Sequence, residues 1–158
     1  MPEKKTLERA QRDKKQGKSP STQAGEFVRE EMDHIREGKH GARSPQQAIA
    51  IGLSKARRAG VKLSPPKKGR ASERTRKQAK RDTKKGATAA QHKPSSKRSR
   101  AVSSALKREG RSAASRGALS RHAHASAKQR GSASRSQAAR KAARTRAKRS
   151  ASAKRKRS

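Results

Sequence analysis

Residues 20–60 run PSTQAGEFVREEMDHIREGKHGARSPQQAIAIGLSKARRAG, and this stretch decides the fold class. Ala24, Phe27, Val28, Met32 and Ile35 stand at i, i+3, i+4, i+8 and i+11, one apolar stripe of a helix predicted over 23–37. Ser21 or Thr22 is the N-cap candidate, and Gly38 stands where a left-handed C′ residue belongs. Glu26, Glu30, Glu31 and Asp33 crowd the early and middle turns, and acids near the N-terminal end suit the helix dipole. A second helix is predicted over 45–59. Ser44 is its cap, Pro45 its N1 residue and Gln47 the N3 residue of a capping box. Ala48, Ile49, Gly52, Leu53 and Ala56 form its apolar or small stripe. Lys55, Arg57 and Arg58 fill the last turns before Gly60. The 38–44 connection suits an antiparallel pair.

Upstream, residues 3–16 can form a charged helix with only Leu7 and Ala10 on its weak face, marginal by itself. Downstream, Ser64-Pro65-Pro66 resists helix and favours extended chain. The fold class is therefore mainly α: a short helical hairpin or three-helix head over 1–64, followed by a largely disordered basic tail. Phe27, Val28, Met32, Ile35, Ile49 and Leu53 are the expected core or interface of the head. A head of that size buries little surface and gains from a partner or from self-association through residues 20–60.

Charge is shared unequally. The chain has 158 residues and a net charge of +36, from 47 Lys/Arg and 11 Asp/Glu. Residues 1–60 hold 14 of the basic and 8 of the acidic residues, so residues 61–158 carry a net +30. After Leu63 the only large aliphatics are Val102, Leu106 and Leu119. Low hydrophobicity with high net charge leaves too little apolar surface to offset chain entropy, which predicts disorder. On this basis 65–98 reads as a basic linker and 99–124 as a weak helical pair. Residues 125–158 read as a disordered Ser/Ala/Lys/Arg tail. Arg108-Glu109-Gly110, Ser112 and Leu119-Ser120-Arg121 echo Arg36-Glu37-Gly38, Ser44 and Leu53-Ser54-Lys55, with Ser112 as a helix cap.

An enzyme is not expected. No phosphate-cradling glycine motif occurs, and Gly110-Arg111-Ser112 is followed by Ala114 where a nucleophile elbow needs glycine. Ser104 and Lys107 fit a Ser-x-x-Lys pattern that a Ser- and Lys-rich chain produces by chance. No cofactor and no metal are expected. His34, His40, His92, His122 and His124 do not pair with acids at familiar metal spacing, and His122-x-His124 reads as two solvated side chains. Glu30 and Glu31 read as solvated helix-face acids, because adjacent helical residues do not face each other. There is no cysteine. No stretch is apolar enough to span a bilayer, and Met1-Pro2-Glu3-Lys4-Lys5 leads into no apolar signal region, so neither membrane nor secretion is expected.

What remains is cation density. The candidate nucleic-acid contacts are Lys67, Lys68, Arg70, Arg74, Arg76, Lys77, Lys80, Arg81, Lys84, Lys85, Lys97, Arg98 and Arg100, then Arg140, Lys141, Arg144, Arg146, Lys148, Arg149, Lys154, Arg155, Lys156 and Arg157. Such density exceeds what solubility needs and favours displacing counterions from a polyanion. Sequence-specific reading is not expected, since no finger, zipper or recognition helix is visible and asparagine is absent. Phe27 is the only aromatic, which disfavours stacking on unpaired bases.

The runs Pro20 to Glu31, His34 to Ser44 and Gln47 to Gly60 resemble a family of small, basic, uncharacterised bacterial proteins with a domain of unknown function. Ala105-Leu106-Lys107-Arg108-Glu109-Gly110, Ser112-Ala113-Ala114-Ser115 and Ala118-Leu119-Ser120-Arg121 are similar to a second block of that family. The Ser/Ala/Lys/Arg tail resembles bacterial histone H1-like proteins in composition. The resemblance implies a bacterial cytoplasm or nucleoid and no established activity. Double-stranded DNA is the expected partner. RNA or the ribosome is the alternative, as is a protein partner held by the head.

Overall fold

The computed structural model describes residues 2–88 and 95–155, with 148–149 and 151–155 as backbone alone. It is mainly α: α1 (Lys4–Lys15), α2 (Pro20–Arg36), α3 (Pro45–Arg58), α4 (Glu73–Ala87), α5 (Ser96–Lys107), α6 (Arg116–Gln129) and α7 (Gly131–Arg155), with a short 3-10 turn at Ser112–Ala114. The described residues contain no strand. The chain divides into two compact units, Met1–Leu119 and Ser120–Ser158.

In the first unit α2 packs against both α1 and α3, and α3 packs against α4. α2 starts earlier than its apolar stripe predicts. The cap is Ser19, whose Oγ accepts the Thr22 N–H at 3.4 Å, and Pro20 opens the first turn. Ser21 and Thr22 therefore lie inside the helix, because proline at the first position needs no N–H acceptor behind it. α3 follows its reading closely: Ser44 Oγ accepts the Gln47 N–H at 3.2 Å. The Gln47 side chain reaches the Arg43 N–H at 2.9 Å, one residue before the cap. Gly38 and Gly60 end the two helices at φ 79° and 89°.

The apolar stripes feed two clusters. Ala10, Ala24, Phe27, Ala56 and Val61 are buried in one, with Leu7, Leu53 and Leu63 packed on it. Burying a side chain the size of Phe27, 1% exposed here, contributes about 1.5–3 kcal/mol. Met32, Ile35, Ala42 and Ala48 are buried in the other, joined by Ala113 and Ala114 from the far end of the unit. Val28, Ile49 and Leu119 pack against that second cluster.

Compactness extends well past Pro66, where the loss of large aliphatics suggested a boundary. Residues 73–87, expected as linker, form α4 docked on α3. Small residues and one acid make this dock. Ala79 and Asp82 are buried on the α3 side, and a Cβ on Gly86 would run into the Arg57 carbonyl oxygen. Asp82, 2% exposed, accepts from Ser54 Oγ (2.6 Å), Arg58 Nε (2.9 Å) and Gln78 Nε2 (3.0 Å). A buried carboxylate with three donors is held firmly, because each donor offsets part of the cost of leaving water. The intervening chain is fastened from both sides. Arg57 donates to the carbonyls of Leu63 and Ser64, and Arg76 to that of Pro66. Burial pushes the Arg57 guanidinium down from its usual value, and the Asp82 charge opposes the shift.

Residues 106–119 also join the head rather than belonging to a separate helical pair. The Gly41 N–H donates to the Leu106 carbonyl (2.9 Å) and the Ala42 N–H to that of Gly110 (3.0 Å). Arg36 Nε donates to the Ala114 carbonyl at 3.1 Å. Leu119 packs on the core, whereas Val102 is 54% exposed. The capping residue ahead of α6 is Ser115, whose Oγ accepts the Ala118 N–H, and Ser112 instead opens the 3-10 turn.

In the second unit residues that composition assigned to a disordered tail adopt helix. Ala, Arg, Lys and Gln are strong helix formers, and no proline interrupts 131–155. Every described side chain of α7 is exposed, so this helix has no tertiary packing and rests on intrinsic propensity, which is marginal in water.

Candidate nucleic-acid interface

α4 arranges its cations by dedicating one face to α3. Ala79, Asp82 and Gly86 face inward at i, i+3 and i+7. Arg74, Lys77, Arg81 and Lys84 then recur at i, i+3, i+7 and i+10 on the opposite face, flanked by Lys80 and Lys85, and all six are exposed. The acids of α4 itself are Glu73 and Asp82, and the Asp82 charge is consumed inward by Arg58. The α4 face is thus a positive stripe over a helix of 15 residues, about 22 Å at 1.5 Å per residue. Lys67, Lys68 and Arg70 are exposed just ahead of it.

Arg76 is different from its neighbours. It is ion-paired to Glu73 at 2.6 Å, is bonded to Pro66 and is 21% exposed, so it holds the fold together. Lys97, Arg98 and Arg100 are exposed on α5. Arg140, Lys141, Arg144 and Arg146 are exposed on α7 and wind around it without forming a single stripe. The side chains of Lys148, Arg149, Lys154 and Arg155, and all of Lys156 and Arg157, lie outside the described residues, as does His92.

A second constellation went unread in the sequence. Glu30 and Glu31, expected to be solvated, are 5% and 1% exposed. Lys55 of α3 reaches both, 2.6 Å from Glu31 Oε2 and 3.6 Å from Glu30 Oε1. Glu30 Oε2 also accepts the Glu3 N–H at 3.3 Å. On the loop after α2, His40 Nε2 lies 3.0 Å from Glu31 Oε1, while Nδ1 lies 3.1 Å from the Gly41 carbonyl. His34, one turn beyond Glu31 on α2, has Nε2 2.9 Å from Glu3 Oε1. The two imidazoles meet edge to face at 6.1 Å. The hydrogen bond to His34, and then Lys39 at 3.2 Å, hold the Glu3 carboxyl below the usual carboxylate value. Glu37 and then Glu3 raise the Lys39 ammonium in turn.

The signals for this cluster were an acid and a histidine at i, i+3 on the polar edge of α2, and a second histidine just past the Gly38 turn. Only the fold of the 38–44 loop brings His40 back to Glu31. His122 and His124, two apart on α6, do not share a helix face.

No helix among the described residues is long and apolar enough to cross a membrane. No family model, no curated protein and no solved structure matches this chain.

Proposed function

We propose that this protein binds duplex DNA without sequence specificity, as a nucleoid-associated protein of a bacterial cytoplasm that acts by neutralising backbone phosphates. The observation that carries the reading is the exposed cationic face of α4, set opposite its docking face on the compact unit. A docked helix presents several cations to a phosphate backbone with no further backbone ordering, and the net +30 of residues 61–158 supplies further charge. Double-stranded DNA carries one charge per about 1.7 Å of axis, so the stripe spans roughly a dozen phosphate charges of both strands. α7, without packing of its own, exchanges between helix and disordered chain in solution and orders along the polyanion. The head supports self-association or a protein contact through residues 20–60.

The test is duplex binding against salt. Neutralising six to ten phosphates makes affinity fall by about three to five orders of magnitude between 50 and 200 mM salt. An affinity that barely changes over that range would overturn the proposal. Competition with structured ribosomal RNA decides between DNA and an RNA-associated role. Retention of an in-cell partner by a chain lacking the cations of α4 and α7 would favour an adaptor role for the head.

A further inference from the structure

We propose that Glu31, His34 and His40 form a binding site for a divalent transition-metal cation of the zinc class. Among the described residues these three each present a ligand atom, all within 4.8 Å of one another. Tetrahedral zinc with bonds of about 2.0–2.1 Å holds its ligand atoms about 3.3 Å apart. His40 Nε2 and Glu31 Oε1, at 3.0 Å, already stand near that separation, and the ligand atom of His34 lies within 4.8 Å of both.

The independent observation is the state of Glu31. Its side chain is 1% exposed, and neither carboxylate oxygen has an aligned hydrogen-bond donor, although Lys55 and His40 lie at ion-pairing distance. Lys55, 2.6 Å from Oε2, is the cation on that side, which leaves Oε1, facing His40, as the oxygen open to a second one. The histidine sharpens this. A carbonyl oxygen can only accept, so the contact between His40 Nδ1 and Gly41 O places a proton on Nδ1. In the neutral imidazole Nε2 then points its lone pair at a carboxylate oxygen 3.0 Å away. Two lone pairs at that distance are bridged either by a proton or by a metal cation, and imidazole with carboxylate is a ligand pair that suits zinc.

The surroundings supply what metal sites have behind their ligands. The Gly41 carbonyl fixes the His40 tautomer, Glu3 accepts from His34, and the Lys55 charge stands 2.6 Å from the second oxygen of Glu31. Two imidazoles and a carboxylate exclude the hard cations calcium and magnesium as the natural occupants. Three protein ligands leave a fourth position for water. Because His40 precedes the residues that bond Leu106 and Gly110, the ion would also fasten the loop on which 106–114 docks.

The test uses the full chain, stripped with a chelator and titrated with zinc chloride. Expected are one equivalent bound, a raised Tm, and a visible ligand-field spectrum with cobalt(II) that zinc abolishes. In the unaltered protein, nitrogen-15 imidazole spectra should show two of the five histidines changing on zinc addition. His40→Ala should weaken binding by at least about 10–100-fold, the range that even an outer-shell partner commands. The spectra on the unaltered chain keep the test decisive if that variant unfolds. Absence of stoichiometric zinc, or zinc that leaves His34 and His40 resonances unmoved, overturns the site.

Discussion

Asp82 of α4 accepts from Arg58 of α3 at 2.9 Å while only 2% of it is exposed, and this one acid ties a strongly cationic helix to the head. Asp82→Ala leaves Ser54, Gln78 and Arg58 without their shared acceptor. Arg58 is 57% exposed and can turn to water, which limits the cost. The expected loss is about 1–3 kcal/mol, read from urea unfolding followed by circular dichroism. Asp82→Asn keeps an acceptor oxygen and should fall between the two. An unchanged midpoint for Asp82→Ala would mean that α4 is not docked through this residue.

Gly86 tests the same dock by shape alone. A methyl group there meets the Arg57 carbonyl, which is backbone and cannot swing aside. Gly86→Ala should therefore lift the end of α4 from α3, despite alanine being the better helix former by about 1 kcal/mol. Amide hydrogen exchange should accelerate across 73–87 while α1 and α2 keep their protection. Slower exchange in 73–87 would contradict the close approach.

Removing charge from the outer face of α4 separates binding from folding. Arg74→Gln, Lys77→Gln, Arg81→Gln and Lys84→Gln all replace exposed side chains, so the unfolding midpoint should hold within experimental error. If these four meet phosphates, the slope of log affinity against log salt should become shallower by about 3–4. Arg76→Gln is the contrasting variant. It should lower stability through the lost contacts to Pro66 and Glu73, with a smaller effect on the slope.

α7 is the part with no packing to lean on. A peptide of residues 131–155 should be only partly helical in buffer and gain helicity when duplex DNA is added, measured by far-ultraviolet circular dichroism. Full helicity of the free peptide would show that propensity alone suffices. No gain on adding duplex would remove α7 from the binding surface.

The helices of the head were legible because their apolar residues recur at helical spacing and are bracketed by Ser44, Pro45, Gly38 and Gly60. Ser19 was missed as a cap because the apolar stripe begins only at Ala24, five residues on. α4 was missed for a different reason. Its dock uses Ala79, Asp82 and Gly86, which look like the rest of a basic, low-complexity segment when large aliphatics are counted. The same blindness hid Ala113 and Ala114, which fill space beside Met32 and Ile35 by being small. The cations themselves were visible, but which of them are occupied within the fold, as Arg76 is, depends on neighbours distant in sequence. The cluster of Glu31, His34 and His40 needed the path of a loop, which spacing does not encode.

The placement of Ala113 and Ala114 beside Met32 and Ile35 has a consequence for synthesis. Translation proceeds from the N-terminus, so roughly eighty residues must emerge between the two halves of that core before it can close, a loop whose closure entropy grows slowly with length. Until then the carboxylates of α1 and α2 precede a growing polycation on the same nascent chain. A stall or truncation before residue 113 would release a head with one side of its core uncovered and most of the α4 charge already attached, a product suited to aggregation with ribosomal RNA rather than to ordered assembly.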